Sequence, residues 1–308
     1  MRCFLFGGLL LSLAVLPLLL PAAETRDLIL VAGQSNAVGY DAYASELPPS
    51  DIDAQVKFWW RTGDPPPDRY DVTSGGKWST LRPQPKGTPL DVNAPDVKEK
   101  LPRQYGNFLK PEGGFGPEIG LARHLRAKEN DARPLAIVKA AFSGTGLIQD
   151  WNPEDPGPGG SCYRALVDET IAAVAAAKAD GATLQLRALV WCQGESDANP
   201  QAAPQYEKNM AKLLTHLRKD LDAPKLLALI GVNTRYGNGK NPHTAVVVAQ
   251  QKSLAEHDAL TAYVDNEGAE TLPPSHTHFT AKGTLEIGRR YADGLLALEA
   301  KRRAVLKP

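Results

Sequence analysis

The stretch "ILVAGQSNAVGY", Ile29 to Tyr40, starts as an apolar run and breaks into Gly33-Gln34-Ser35-Asn36. A run so short and so apolar suits a strand buried on both faces. The same pattern returns along the chain. Strands are expected at "LILVA" (28–32), "LAIVKAA" (135–141), "LRALVWC" (186–192), "LLALIGV" (226–232) and "TAYVD" (261–265). Amphipathic helical patterns begin at Pro117, Tyr163, Pro204, Thr244 and Thr280, with Pro117 and Pro204 suited to first turns and Gly181 to a helix end. Apolar strands alternating with helices predict an α/β domain, a parallel sheet covered on both sides.

The 308 residues suffice for one sizeable core. Charge is balanced, 35 Lys+Arg against 35 Asp+Glu, so nothing calls for nucleic acid or an anionic membrane. Residues 1–23 carry Arg2, an uncharged apolar run to Leu20 and the small pair Ala22-Ala23, the pattern of a cleaved signal peptide. The mature chain, residues 24–308, is then expected to be a single domain, secreted or periplasmic, with no membrane segment left after cleavage. It keeps two cysteines, Cys162 and Cys192, which an oxidising compartment would permit to pair. One region, about 41–116, departs from the rhythm: it is rich in Pro and Gly, with only "VKFWW" strand-like, and reads as an ordered insertion over one end of the sheet.

In a parallel sheet the chemistry gathers beyond the carboxyl ends of the strands. Four polar segments are delivered there: Gly33-Gln34-Ser35-Asn36, Ser143-Gly144-Thr145-Gly146, Gln193-Gly194-Glu195-Ser196-Asp197 and His276-Thr277-His278. A serine hydroxyl needs a base to accept its proton and donors for the oxyanion it creates. Ser35 would be the nucleophile, His278 the base, and the Ser35 and Gly144 N–H groups with the Gln193 amide the donors. Singly, each has a plainer reading: Ser35 as a helix N-cap, Gly144 in an ordinary turn, Gln193 to Asp197 as a polar loop, His278 as a surface histidine. Their arrival at one edge favours the catalytic reading. Asp150 and Trp151, just after the second segment, are placed at the rim of the cleft at that edge, where a carboxylate and a ring can hold a substrate, and Trp59, Trp60 and Trp78 either do the same or pin the insertion to the core. His276 and His278 share a side of an extended segment, but no further ligand at metal-site spacing completes them, so neither metal nor cofactor is called for.

"GQSNAVG", "FGPEIGLARHL", "AAFSGTGLIQDW", "WCQGESDA" and "HFTAKGTLEIGRRYA" resemble, in order, the blocks of the sialate O-acetylesterase and acetyl-xylan esterase group, carbohydrate esterase family six of the SGNH hydrolases. The resemblance runs from Leu28 to about Ala292. It implies a flavodoxin-like three-layer α/β/α fold, metal-independent removal of acetyl groups from sugars, Ser35 as nucleophile, His278 as base, and Gly144 with Gln193 as oxyanion donors. Many relatives carry an Asp three residues before the base histidine, and here that position is Ser275. The resemblance to members that use the Glu of the "QGE" block makes Glu195 the first choice of acid, ahead of Asp265, Asp197 and a hydroxyl-only arrangement through Ser275. The rival functions are a carbohydrate-binding relative without catalysis and a lipid or thioester hydrolase of the same superfamily.

Overall fold

The computed structural model describes residues 24–93, 108, 110–129 and 133–306. The expected signal peptide lies outside them. Nine strands are described: β1 (Glu24–Gly33), β2 (Lys57–Gly63), β3 (Tyr70–Asp71), β4 (Ser79–Thr80), β5 (Thr88–Pro89), β6 (Leu135–Phe142), β7 (Ala182–Cys192), β8 (Leu227–Gly231) and β9 (Thr261–Tyr263). The α-helices are α1 (Ser35–Val38), α2 (Pro117–Lys128), α3 (Ser161–Ala179), α4 (Tyr206–Asp220), α5 (Pro242–His257) and α6 (Ala281–Leu306).

Seven strands form one sheet in the order β4-β2-β6-β1-β7-β8-β9, parallel throughout except for β4. Setting β2 and β4 aside, the remaining five run second, first, third, fourth, fifth in chain order, the flavodoxin-like arrangement. Its topological switch point lies between β1 and β7.

Alternation along β1 explains the three layers. Ile29 and Val31 pack on one face with Ile119 and Leu125 of α2 and Ile287 and Leu295 of α6. Leu28, Leu30 and Ala32 pack on the other with Leu166 of α3, Leu213 of α4 and Val247 of α5. Both faces of the strand are apolar because both are covered. Pro117 stands in the first turn of α2, whereas Pro204 lies in a 3-10 turn just before α4.

The insertion does more than cover an end of the sheet. Its "KFWW" segment is β2, hydrogen-bonded in parallel to β6 from Lys57↔Ala136 to Gly63↔Phe142. Trp59 and Trp60 are core residues on opposite faces. The Trp59 indole N–H donates to Glu169 Oε2 at 2.6 Å, and that of Trp78 to Ala173 O at 3.0 Å, so these rings pin the insertion to α3. Cys162 and Cys192 are both buried free thiols. Among the described residues, no helix is long and apolar enough to cross a membrane.

Candidate active site

At the end of β1, Gly33 has φ 135°, and a Cβ there would lie 2.2 Å from Cys192 O. Only glycine lets β1 turn so close to β7. Gln34 N–H donates to Cys192 O at 3.1 Å, and the Gln34 side chain accepts from Ser196 N–H at 3.1 Å. Gln34 is the N-cap of α1, so Ser35 is the first helical residue and not a cap. Its N–H is one of the donors a helix leaves without an internal acceptor. Gly39, at φ 85°, ends α1 and sends the chain directly into Tyr40 and Asp41.

His278 comes from the segment between β9 and α6. Its Nδ1 meets Asp41 Oδ2 at 2.6 Å, and both side chains are 15% exposed. The Tyr40 ring lies against the imidazole at 4.6 Å between centroids. With Nδ1 held by a carboxylate, Nε2 is the nitrogen left to exchange a proton. The carboxylate on the imidazole is therefore Asp41, a residue that sequence reasoning did not name, and not Glu195.

Glu195 is 3% exposed. Its Oε1 accepts from Asn36 Nδ2 at 2.7 Å and from Asn233 N–H at 3.3 Å. Burial pushes its carboxyl above the ordinary value, with those hydrogen bonds and the nearby His278 opposing the shift. The other candidate acids are engaged elsewhere. Asp197 accepts from Leu147 N–H and from the Gln193 amide, Asp265 accepts from Glu267 N–H, and the Ser275 hydroxyl accepts from Thr277.

The donors expected for an oxyanion divide. Gly144 is exposed at φ 71°, and nothing lies within 4 Å of where a Cβ would be, so a ligand can approach its backbone. Gln193 is fully buried. Its amide donates to Thr145 O at 3.0 Å and to Asp197 Oδ2, and its carbonyl accepts from Tyr206 at 3.1 Å. With both amide hydrogens taken, Gln193 ties the Gly144 loop to the end of β7 and does not face a substrate.

Trp151 also departs from expectation. It is fully buried, edge-on to Trp191 at 4.9 Å, with its N–H on Thr145 Oγ1 at 2.9 Å. The loop turns inward here because Asp150 O accepts from Cys162 N–H, and the ring has no route to the rim. Asp150 Oδ2 accepts from Gly146 N–H at 2.8 Å, and burial raises its pKa above the ordinary carboxylate value. It braces the loop of Gly144. His276 is engaged on both ring nitrogens, by Thr271 Oγ1 at 2.7 Å and the Arg235 guanidinium at 3.4 Å. Among the described residues, no group of three or more His, Cys, Asp or Glu is arranged to hold a metal ion.

The turn that delivers Asp41 rests on a buried charge cluster. Lys139 of β6 donates to Val38 O at 2.9 Å, Gln84 Oε1 at 2.7 Å and Glu118 Oε1 at 3.0 Å. Lys139 and Glu118 are both fully buried, and burial pulls the lysine below its usual value. Ser35, His278 with Asp41, and Gly144 thus stand beyond the carboxyl ends of the strands around the switch point. A hydroxyl, a base with its carboxylate and an open backbone donor are the parts that acyl transfer requires.

The family model for carbohydrate esterases described as sialic acid-specific acetylesterases matches residues 25–297. A probable carbohydrate esterase of Arabidopsis thaliana is 27% identical over 186 residues, 60% of this chain and 64% of that protein, so the match spans less than two thirds of the relative. Three crystal structures are similar in fold. A protein from Arabidopsis thaliana superposes with TM-score 0.62 at 19% identity, covering 88% of this chain and 98% of its own. NanS gives 0.56 at 17%, covering 92% and 100%, and a carbohydrate acetylesterase from Xanthomonas citri gives 0.54 at 16%, covering 89% and 57%.

Proposed function

Because the chain belongs to the carbohydrate esterase family of sialic acid-specific acetylesterases, we propose that it is a serine-dependent enzyme that removes acetyl groups from an acetylated sugar by way of an acetyl-enzyme. The observation that carries the serine mechanism is the 2.6 Å contact between Asp41 and His278, on a segment hydrogen-bonded to the helix of Ser35. His278 Nε2 takes the proton of Ser35 Oγ as that oxygen attacks the acetyl carbonyl. Asp41 keeps the Nδ1 proton in place and balances the imidazolium. The oxyanion is met by the N–H groups of Ser35 and Gly144. His278 then returns the proton to the departing sugar oxygen. Water, deprotonated by the same imidazole, attacks the acetyl-enzyme, and acetate leaves as Ser35 regains its proton.

We assign the substrate to acidic sugars of the sialic acid kind. The family description favours this, and so does Arg235, whose exposed guanidinium stands beside the loop of His278 with no carboxylate paired to it among the described residues. The leader-like residues 1–23 support action outside the cytoplasm. The test is acetate release by the mature protein from O-acetylated sialic acid and from acetylated xylan, with Ser35→Ala as control. Release from the first and none by the variant supports the assignment. Equal turnover of both substrates overturns the sugar assignment, and an active Ser35→Ala overturns the serine mechanism.

A further inference from the structure

Asn36, the neighbour of Ser35, is 2% exposed, and its side chain does not turn toward the cleft. Its Oδ1 accepts from Phe279 N–H at 3.1 Å, and its Nδ2 donates to Thr277 O at 3.1 Å. Those backbone groups belong to the residues on either side of His278. One amide therefore grips the base-bearing segment before and after the imidazole, from the helical turn that carries the nucleophile.

The grip has a seat. Asn36 Nδ2 also donates to Glu195 Oε1 at 2.7 Å, which fixes which way round the amide stands. Glu195 Oε1 accepts from Asn233 N–H as well, and the Asn233 side chain donates to His276 O at 2.8 Å and Thr277 O at 3.1 Å. His276 sits at φ 52°, a left-handed conformation that a non-glycine residue rarely adopts. The segment is thus held in a shape it would not choose unaided. Asp41 fixes the imidazole through Nδ1 and Leu272 N–H holds His278 O at 2.9 Å within the same loop, whereas Asn36 ties the segment's backbone to α1, the helix of the nucleophile.

We propose that Asn36 is the positioning residue that sets the reach between the Ser35 hydroxyl and the His278 imidazole, with Glu195 and Asn233 as its seat. The inference rests on Ser35 and His278 being the nucleophile and base. Displacing a reacting group by about 1 Å costs on the order of a hundredfold in rate, so Asn36→Ala lowers kcat by about that factor while KM changes little. Asn36→Asp keeps the acceptor for Phe279 but turns a carboxylate toward Thr277 O and Glu195, and it loses at least as much. In the double variant Asn36→Asp with Glu195→Gln, the new amide donates back to residue 36 but gives up the bond from Asn233 N–H, so the seat is restored in part.

The experiment measures kcat and KM on p-nitrophenyl acetate, the rate of Ser35 phosphonylation by a fluorophosphonate, and the thermal midpoint of each variant. Parallel losses in kcat and phosphonylation at a nearly constant KM, with about tenfold recovery in the double variant over Asn36→Asp, support the proposal. It is overturned if folded Asn36→Ala keeps kcat within about threefold of wild type. Should Asn36→Ala fail to fold, the pair of Asn36→Asp and its double variant decides, and equal kcat in those two overturns it. Ser35→Ala separates the two readings: full activity there removes the serine mechanism itself, whereas an inactive Ser35→Ala beside an active Asn36→Ala removes only the positioning role.

Discussion

Asp41→Asn is the substitution that most sharply separates this site from one built on Glu195. It preserves shape and exchanges a carboxylate for an amide at 2.6 Å from His278 Nδ1. That distance is short for a nitrogen–oxygen hydrogen bond and belongs to the charge-assisted kind. The amide brings two losses. It carries no charge to balance the imidazolium, and when its NH2 faces Nδ1 the ring proton moves to Nε2, where it points at the hydroxyl whose proton should be taken. Replacing the acid of a serine triad in this way lowers kcat by about 10⁴, some 5 kcal/mol of transition-state stabilisation at about 1.4 kcal/mol per decade. The assay is steady-state hydrolysis of p-nitrophenyl acetate, with circular dichroism to verify the fold. Glu195→Gln should lose far less, because the amide oxygen still accepts from Asn36 and Asn233. Ser275→Ala should be near wild type, since that exposed hydroxyl meets only Thr277 among the contacts described. If Asp41→Asn retained activity within about threefold while Glu195→Gln lost orders of magnitude, the assignment of the acid would be wrong.

Removing Lys139 by Lys139→Met leaves Glu118 buried without its cation and should cost about 3–5 kcal/mol in urea unfolding; a loss below about 1 kcal/mol would show that the cluster is not dry. Gln193→Ala should lower stability, because it leaves the Asp197 carboxylate with Leu147 N–H and takes the Gln193 donor from the Thr145 carbonyl, and it should do so in a variant already inactivated by Ser35→Ala. An unchanged unfolding midpoint there would return Gln193 to the role of oxyanion donor. Burial raises the Glu195 carboxyl above its ordinary 4.5 in the folded protein, so the native state binds that proton more tightly than the unfolded chain. Its contribution to stability is complete below 4.5 and is withdrawn as pH rises through the folded value. Glu195→Gln should therefore gain stability relative to wild type as pH rises through this range, and a difference independent of pH would contradict the shift. Arg235→Gln should raise KM for O-acetylated sialic acid more than for p-nitrophenyl acetate, and equal effects on the two would remove the guanidinium from substrate recognition.

The sheet was readable because its strands are apolar on both faces and each ends in a polar break, a pattern that survives without tertiary knowledge. The strand "KFWW" was harder to place. Its paired tryptophans serve opposite faces, yet the Pro-rich chain around it resembles a surface loop. The places of Ser35 and Gly144 were legible for the same reason as the strands, since each follows an apolar run, and that of His278 because it stands just before the last helical pattern. Asp41 was not, because it follows a four-residue helix at the mouth of the insertion and reaches His278 across 237 positions of chain. The signal that was present was Ser275, an absent acid that implied another somewhere at the same edge. Gln193 and Trp151 were misplaced for a common cause: a residue next to a strand end can turn inward as easily as outward. Thr145, Asp197 and Trp191 offer both of them buried partners.

The central claim is a covalent acetyl-enzyme on Ser35, and trapping it is the most direct test. The protein would be mixed with an O-acetylated sialic acid, quenched in acid within the first turnover, digested with pepsin and mapped by mass spectrometry. The account predicts one added acetyl group on the peptide that contains Ser35, accumulating in Asp41→Asn if deacylation becomes the slower step, and absent in Ser35→Ala. Turnover without any acetylated peptide, or with the acetyl group on a residue other than Ser35, would contradict it.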